Sequence, residues 1–173
     1  MMSSSTSLQP LSEKLINHAG EILPPDALTH APVVLYYVAG KWCPHCTNFN
    51  EELIQFYNTI NEKEKKLEIL YLSIDASESD FKAQIATFPW LAVPFDHNQA
   101  VRKFLNENEI TIAPSVLLVR REDGRILKRD CRGDIHKNPT GCYNEWVNLL
   151  HEVSIDKHSN VNESKISHKS LAK

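Results

Sequence analysis

Residues 33–50 read VVLYYVAGKWCPHCTNFN, and this stretch decides the fold. Val33 to Ala39 is an unbroken apolar, β-branched and aromatic run, the pattern of a strand covered on both faces. After the cysteine motif, Phe49, Leu53, Phe56, Tyr57 and Ile60 recur at helical spacing and mark one apolar face of a long helix. A strand ending just before Cys43 and a helix starting at it place that sulfur beside unsatisfied backbone N–H groups and the positive end of the helix dipole. Both stabilise a thiolate. Pro44, with no N–H and a preset φ, suits the first helical turn. Cys46 lies one turn further on and can reach Cys43, so geometry supplies an attacking and a resolving thiol.

Three chemistries compete for such a pair: redox exchange, metal binding, or inert burial. Structural zinc wants four ligands, commonly a second C-x-x-C or a distant histidine pair. Cys131 and Cys142 do not form a second C-x-x-C, and the other histidines are isolated along the chain. Inert burial does not account for a Trp-Cys-Pro-X-Cys run opening a helix after a buried strand. The reading is therefore a redox dithiol, with no metal and no cofactor beyond a Cys43–Cys46 disulfide. His45, between the cysteines, has two readings. Protonated or donating a hydrogen bond, it stabilises the reduced thiolate and makes the disulfide more oxidising; otherwise it is a solvent-exposed side chain.

Outside the motif, elements alternate. Leu67 to Ile74 is a second buried strand; Phe81, Ile85 and Phe88 mark a second helix, and residues 97–106 a third. Val116–Arg121 and Arg125–Arg129 flank Glu122-Asp123-Gly124 and predict a hairpin. Tyr143, Trp146, Val147 and Leu150 predict a closing amphipathic helix. The order βαβα(α)ββα specifies an α/β fold with a mixed central sheet, its parallel part extended by the hairpin.

The 173 residues fit one domain, 11–153, between expected flexible tails at 1–10 and 154–173. Hydrophobic residues at 42% and charged residues at 24% are ordinary for a globular protein, so no disulfide scaffold is needed. A formal charge of −3, with scattered lysines, gives no electrostatic case for nucleic acid, and the mixed-sign run 62–66 is a solvated connection. No run approaches a membrane span and the serine-rich start lacks a secretory apolar segment, which predicts a cytoplasmic protein with no membrane partner. In that compartment a transient disulfide is usually catalytic.

These residues resemble the thioredoxin superfamily, and within it the tryparedoxin and nucleoredoxin branch, over roughly residues 11–150. The matches are Trp42-Cys43-Pro44-His45-Cys46, then Phe88-Pro89-Trp90-Leu91-Ala92-Val93-Pro94-Phe95, then Ile112-Ala113-Pro114. The first is shared by the whole superfamily; the second is much more specific to the branch. The resemblance implies a thioredoxin fold in which Cys43 is the nucleophile, Cys46 the resolving thiol and Trp42 an exposed aromatic shielding the pair. It implies that Pro114 is a cis-proline facing the cysteines, with Ala113 offering its backbone to a thiol substrate. It also sets Asp75 near the active site as an aid to proton transfer, although Asp75 reads equally well as the cap of the following helix. Tyr37 occupies the place where ordinary thioredoxins bury an aspartate.

The departures from that branch bear on partners. His45 replaces a proline, Thr47 stands where tryparedoxins carry an arginine associated with a glutathione-type reductant, and Ile74 where they often have tryptophan. They leave open the direction of exchange and whether the electron donor is trypanothione, glutathione or a reductase; dithiol exchange itself stays intact. The expected activity is reduction of disulfides in client proteins, a peroxidase among them, by a monomer. The alternatives are a disulfide oxidant or isomerase driven by His45, and a non-catalytic interaction module. Of the remaining residues, Cys131 and Cys142 read as small hydrophobes or regulatory thiols, Trp90 as packing below the site or touching substrate, and Trp146 as core.

Overall fold

The run 33–39 forms strand β3 (Val33–Ala39), and every residue in it is buried. The structure, a computed structural model, describes residues 11–169, with side chains through residue 156. Before β3 come two short strands, β1 (Leu15–Ile16) and β2 (Ile22–Leu23). After it follow α1 (Pro44–Ile60), β4 (Leu67–Ser73), α2 (Glu78–Ile85), β5 (Leu91–Ala92) and α3 (Asn98–Glu107). The chain then makes β6 (Ser115–Val119), β7 (Ile126–Lys128), α4 (Cys131–Lys137) and α5 (Cys142–Lys169).

One seven-stranded sheet has the order β2-β1-β5-β4-β3-β6-β7. β3 pairs parallel to β4 with Val33 opposite Leu67, and β4 pairs parallel to β5. On its other side β3 meets β6 antiparallel, with Tyr37 opposite Val116, and β6 meets β7 antiparallel. β3 is thus an interior strand, which is why it carries no polar face. Its side chains alternate between two cores. Val33, Leu35, Tyr37 and Ala39 pack with α1, α2, α4 and α5, while Val34, Tyr36 and Val38 pack with α3 and the turns that precede β3. Leu35, Leu53, Ile69 and Leu118 are fully buried, each contributing about 1.5–3 kcal/mol of transfer free energy.

Several boundaries differ from the sequence reading, each for a local reason. α2 stops at Ile85, and Phe88 stays in the core beyond the helix end, its position before Pro89 disfavouring helical backbone. The hairpin strands are shorter than expected because Arg120 closes the turn, its amide donating to Arg125 O and its carbonyl accepting from the Gly124 amide, both at 2.8 Å. Gly124 has φ +70°, a conformation that favours glycine, and a Cβ there would press against the Tyr36 hydroxyl at 3.0 Å. Sequence reading did not anticipate β1, β2, β5 or α4. α5 is a continuous helix of 28 residues, so helical backbone runs from the domain through Ser154 to Lys169, where a polar tail was expected. The expected tail 1–10 lies outside the described residues.

Candidate active site

The β3–α1 junction places the dithiol at the C-terminal edge of the parallel strands. Cys43 is the N-cap of α1, with extended backbone (φ −89°, ψ 111°), and Pro44 occupies the first turn. The Cys46 amide donates to Cys43 Sγ at 3.3 Å, so the sulfur takes the place that an Asp or Ser oxygen fills in other helix caps. Thr47 ties the same turn down from below, its amide reaching Cys43 O at 3.1 Å and its hydroxyl the same oxygen at 3.3 Å. All four cysteines are free thiols.

Cys43 keeps a small opening to solvent, 5% exposed, while Cys46 has none. Trp42 is 64% exposed beside them and His45 is exposed on the first helical turn. Across the opening lies the loop before β6. The Ala113–Pro114 peptide bond is cis, and Cys43 Sγ stands 3.8 Å from Ala113 O. Ile112, at 69% exposure, adds an apolar side chain to this rim. Sequence reading assigned no role to it, although an apolar residue beside the Ala-Pro step was a usable signal.

Asp75 is fully buried just past β4. Its carboxylate accepts the Lys41 amide at 2.8 Å and the Ser73 hydroxyl at 3.1 Å, with the Tyr71 hydroxyl at 3.4 Å. The capping alternative fails: Ser77 caps α2, its hydroxyl accepting the Asp80 amide at 3.1 Å. Asp75 instead pins the segment that carries Trp42. Gly40 permits this arrangement, since a Cβ on it would lie 2.8 Å from the Trp42 indole nitrogen and 3.2 Å from the Asp75 carboxylate.

Beneath the cysteines, Tyr37 is fully buried in a cage of aromatic rings, edge-on to Phe49, Phe88 and Trp90 at about 6 Å. Its hydroxyl donates to Asn50 Oδ1 on α1. Trp90 is stacked on Phe88 at 4.7 Å and 2% exposed, which makes it core rather than a substrate contact. Burial pushes the Cys46 thiol up to about 12, with the hydrogen bond to Cys43 and the charges of Cys43 and Asp75 adding to it against the Gly40 backbone. Burial likewise raises the Tyr37 and Tyr71 hydroxyls well above the usual tyrosine value. Tyr37 is therefore a neutral phenol at physiological pH. Cys131 and Cys142 are fully buried in the same core cluster.

A family model described as thioredoxin-like matches residues 32–126, more than half of the chain. The chain belongs to the thioredoxin-like family. Within it, the relatives include tryparedoxins and nucleoredoxins. Tryparedoxin of Trypanosoma brucei brucei is 29% identical over 85% of this chain and 100% of its own length. Nucleoredoxin of Bos taurus is 33% identical over 69% of this chain, which spans only 29% of that longer protein. The crystal structure of native tryparedoxin I from Crithidia fasciculata superposes with a TM-score of 0.69 at 30% identity, covering 78% of this chain and 91% of the other. The thioredoxin fold and these relatives make the chain a thiol-disulfide oxidoreductase. Among the described residues, no helix is long and apolar enough to cross a membrane.

Proposed function

We propose that this oxidoreductase reduces disulfides of client proteins, a peroxidase among them, through a mixed disulfide at Cys43 that Cys46 resolves. The observation that carries this reading is the cap of α1: Cys43 Sγ receives the Cys46 amide at 3.3 Å and opens toward Ala113 O at 3.8 Å. A backbone amide and a helix start are groups that stabilise a thiolate in general. As thiolate, Cys43 attacks one sulfur of the client disulfide, forming a Cys43–client bond and releasing the other client sulfur as a thiolate that takes up a proton. Cys46 then gives up its proton, bonds to Cys43 and expels the second client thiol. The protein leaves oxidised and the client gains two electrons and two protons. Trp42, Ile112 and Ala113 line the rim where the client chain lies, with Ala113 presenting backbone as a short strand does. Asp75, neighbour to the Cys46 charge, assists the proton transfer.

The electron donor that restores the dithiol is a low-molecular-weight thiol or a reductase. One solved relative, tryparedoxin II, is complexed with glutathionylspermidine, a low-molecular-weight compound with one thiol. We place the protein in the cytoplasm as a monomer. A Cys46→Ser variant should accumulate a covalent Cys43–client adduct that reducing agent releases and mass spectrometry identifies, and Cys43→Ser should lose disulfide reduction; full activity in Cys43→Ser ends this reading. Because His45 is exposed on the helix turn between the two sulfurs, the direction is set by equilibration against glutathione. A potential near about −270 mV supports the reductase and one near about −120 mV an oxidant.

A further inference from the structure

Among the described residues, the large hydrophobic side chains left exposed are Ile22, Trp42, Ile112 and Ile155, and two of these four flank the opening of Cys43. Trp42 precedes the nucleophile; Ile112 precedes Ala113, whose carbonyl lies 3.8 Å from Cys43 Sγ. The loop before β6 holds Ile112 outward. Ile110 packs against the core on the α3 side, Ala113 against the core on the α1 side, and the Ser115 hydroxyl donates to the Ile112 carbonyl. The backbone is thus tied down around Ile112 while its side chain stays in solvent. We propose that Ile112 is a specificity-determining residue: with Trp42, it favours client disulfides in extended segments that carry an apolar side chain two residues from the cysteine.

The covalent step itself brings the occupant. Forming the Cys43–client bond draws the client cysteine to the opening, so the residues around that cysteine lie against Trp42 and Ile112. Ala113 offers backbone there, which a client meets in extended form. In an extended chain the neighbours at −1 and +1 point away from the face that carries the cysteine sulfur, while those at −2 and +2 share that face, about 7 Å from the cysteine. The latter are the positions that can cover Ile112 and Trp42. An apolar side chain at either takes exposed apolar surface out of water as the bond forms; a polar one is desolvated against it without a partner. A lone exposed isoleucine on an ordinary surface carries no such meaning, but here the reaction supplies the chain that covers it.

This inference rests on the reading of Cys43 as the sulfur that attacks client disulfides. The probes are disulfide-linked dimers of short single-cysteine peptides, mixed in excess with the reduced protein. In each turnover Cys43 bonds to one peptide sulfur and the other peptide leaves as a thiolate that takes up a proton. Cys46 then gives up its proton, bonds to Cys43 and expels the second peptide, so the protein loses two electrons and the dimer becomes two thiols. The readout is the second-order rate constant for peptide release, divided by that of the same dimer with dithiothreitol to remove the peptide's own reactivity. Peptides with leucine at −2 and +2 should react about tenfold faster than those with serine there, the low end of what a methylene contributes to discrimination in an apolar site. Moving the leucines to −1 and +1 should remove the gain.

Ile112→Ser should lower the leucine-to-serine ratio to about threefold or less, Trp42 supplying what remains, while Ile112→Val keeps most of it. The ratio is read within each variant, so a change in overall rate does not enter it. A ratio near one in the wild type overturns the proposal, as does an equal gain from leucine at −1 and +1 or a ratio that stays above threefold in Ile112→Ser. No release from either dimer by the wild type, or release by Cys43→Ser at the wild-type rate, instead overturns the reading of Cys43, and the selection with it.

Discussion

The molecule has two pairs of cysteines at helix starts, and they differ in almost everything else. Cys43 caps α1 and Cys46 lies in its first turn; Cys131 begins α4 and Cys142 begins α5. A helix N-terminus is often taken as enough to activate a thiol, yet here burial pushes Cys131 up to about 12 and Cys142 up to about 11. The second cause in both is Asp134, one turn into α4, whose carboxylate also accepts the Trp146 indole N–H at 2.9 Å and pairs with Lys128 at 2.7 Å. A partial positive end of a helix does not offset desolvation plus a nearby carboxylate. Cys46 resembles the second pair, fully buried and equally reluctant to ionise. What separates it is a neighbour three residues earlier with an opening to solvent. In the proposed mechanism, reactivity belongs to Cys43 and is lent to Cys46 through the mixed disulfide.

The sharpest way to break this contrast is exchange by substitution. Cys43→Ser should lose turnover in a disulfide-reduction assay, while Cys131→Ala and Cys142→Ala keep it and lose about 0.5–3 kcal/mol of stability each by denaturant unfolding. Comparable activity loss in the second pair would make those thiols part of the reaction.

Alkaline titration gives the next largest effect. Both structural thiols ionise in the unfolded chain near 9 but in the fold only near 11 to 12, so the folded state binds more protons between those values. Their stabilisation is complete below about pH 9 and is lost as pH rises, at about 1.4 kcal/mol per pH unit for each thiol still protonated in the fold. Unfolding measured from pH 9 to 10 should show a shallower slope in the Cys131→Ala/Cys142→Ala protein than in wild type; equal slopes would refute the burial argument.

Asp134→Asn removes the second cause while leaving burial in place. It should move thiol ionisation at Cys131 to lower pH and, by weakening the contacts to Lys128 and Trp146, cost about 1–3 kcal/mol. Activity should be unchanged.

The smallest effect is expected at the active pair itself. Gly40→Ala introduces a Cβ that the Trp42 indole must avoid, and because Trp42 is largely exposed it can swing aside. Tryptophan emission should shift and client reduction weaken a few-fold through KM, and because the same Cβ crowds Ile74 at 3.1 Å and the buried Asp75 at 3.2 Å, stability should fall by about 0.5–3 kcal/mol. An unaltered KM would show that Trp42 does not meet the client.

The long elements were legible because each carries its own periodicity: β3 as an apolar run, α1 as a stripe from Phe49 to Ile60, and the hairpin through its Asp-Gly turn. β1, β2 and β5 were not, since two-residue strands hold no pattern and exist only by pairing across the sheet, Leu15 with Leu23 and Ile16 with Ala92. α4 escaped because a seven-residue helix with only Cys131 and Ile135 buried has no readable face. The motif residues and the Ala113–Pro114 step could be named from order alone. The Tyr37–Asn50 contact could not, because it joins a strand to a helix across the core, although Asn50 one turn after Cys46 was a visible hint. Asp75 was misjudged as a possible cap since the serine that caps α2 stands only two residues later.

The pins around Asp75 set how the chain behaves when the disulfide opens and closes. Lys41 donates its amide to Asp75, Ile74 donates its amide to Ala39 O at 3.0 Å, and the Tyr71 hydroxyl donates to that same carbonyl at 2.9 Å. The last residue of β3 and the first residues leading to Cys43 are therefore clamped to β4 by contacts that do not involve the sulfurs. Making the Cys43–Cys46 bond orders few residues that were not already ordered, so chain entropy contributes little to the cycle and amide hydrogen exchange at Lys41 should run at the same rate in both redox states.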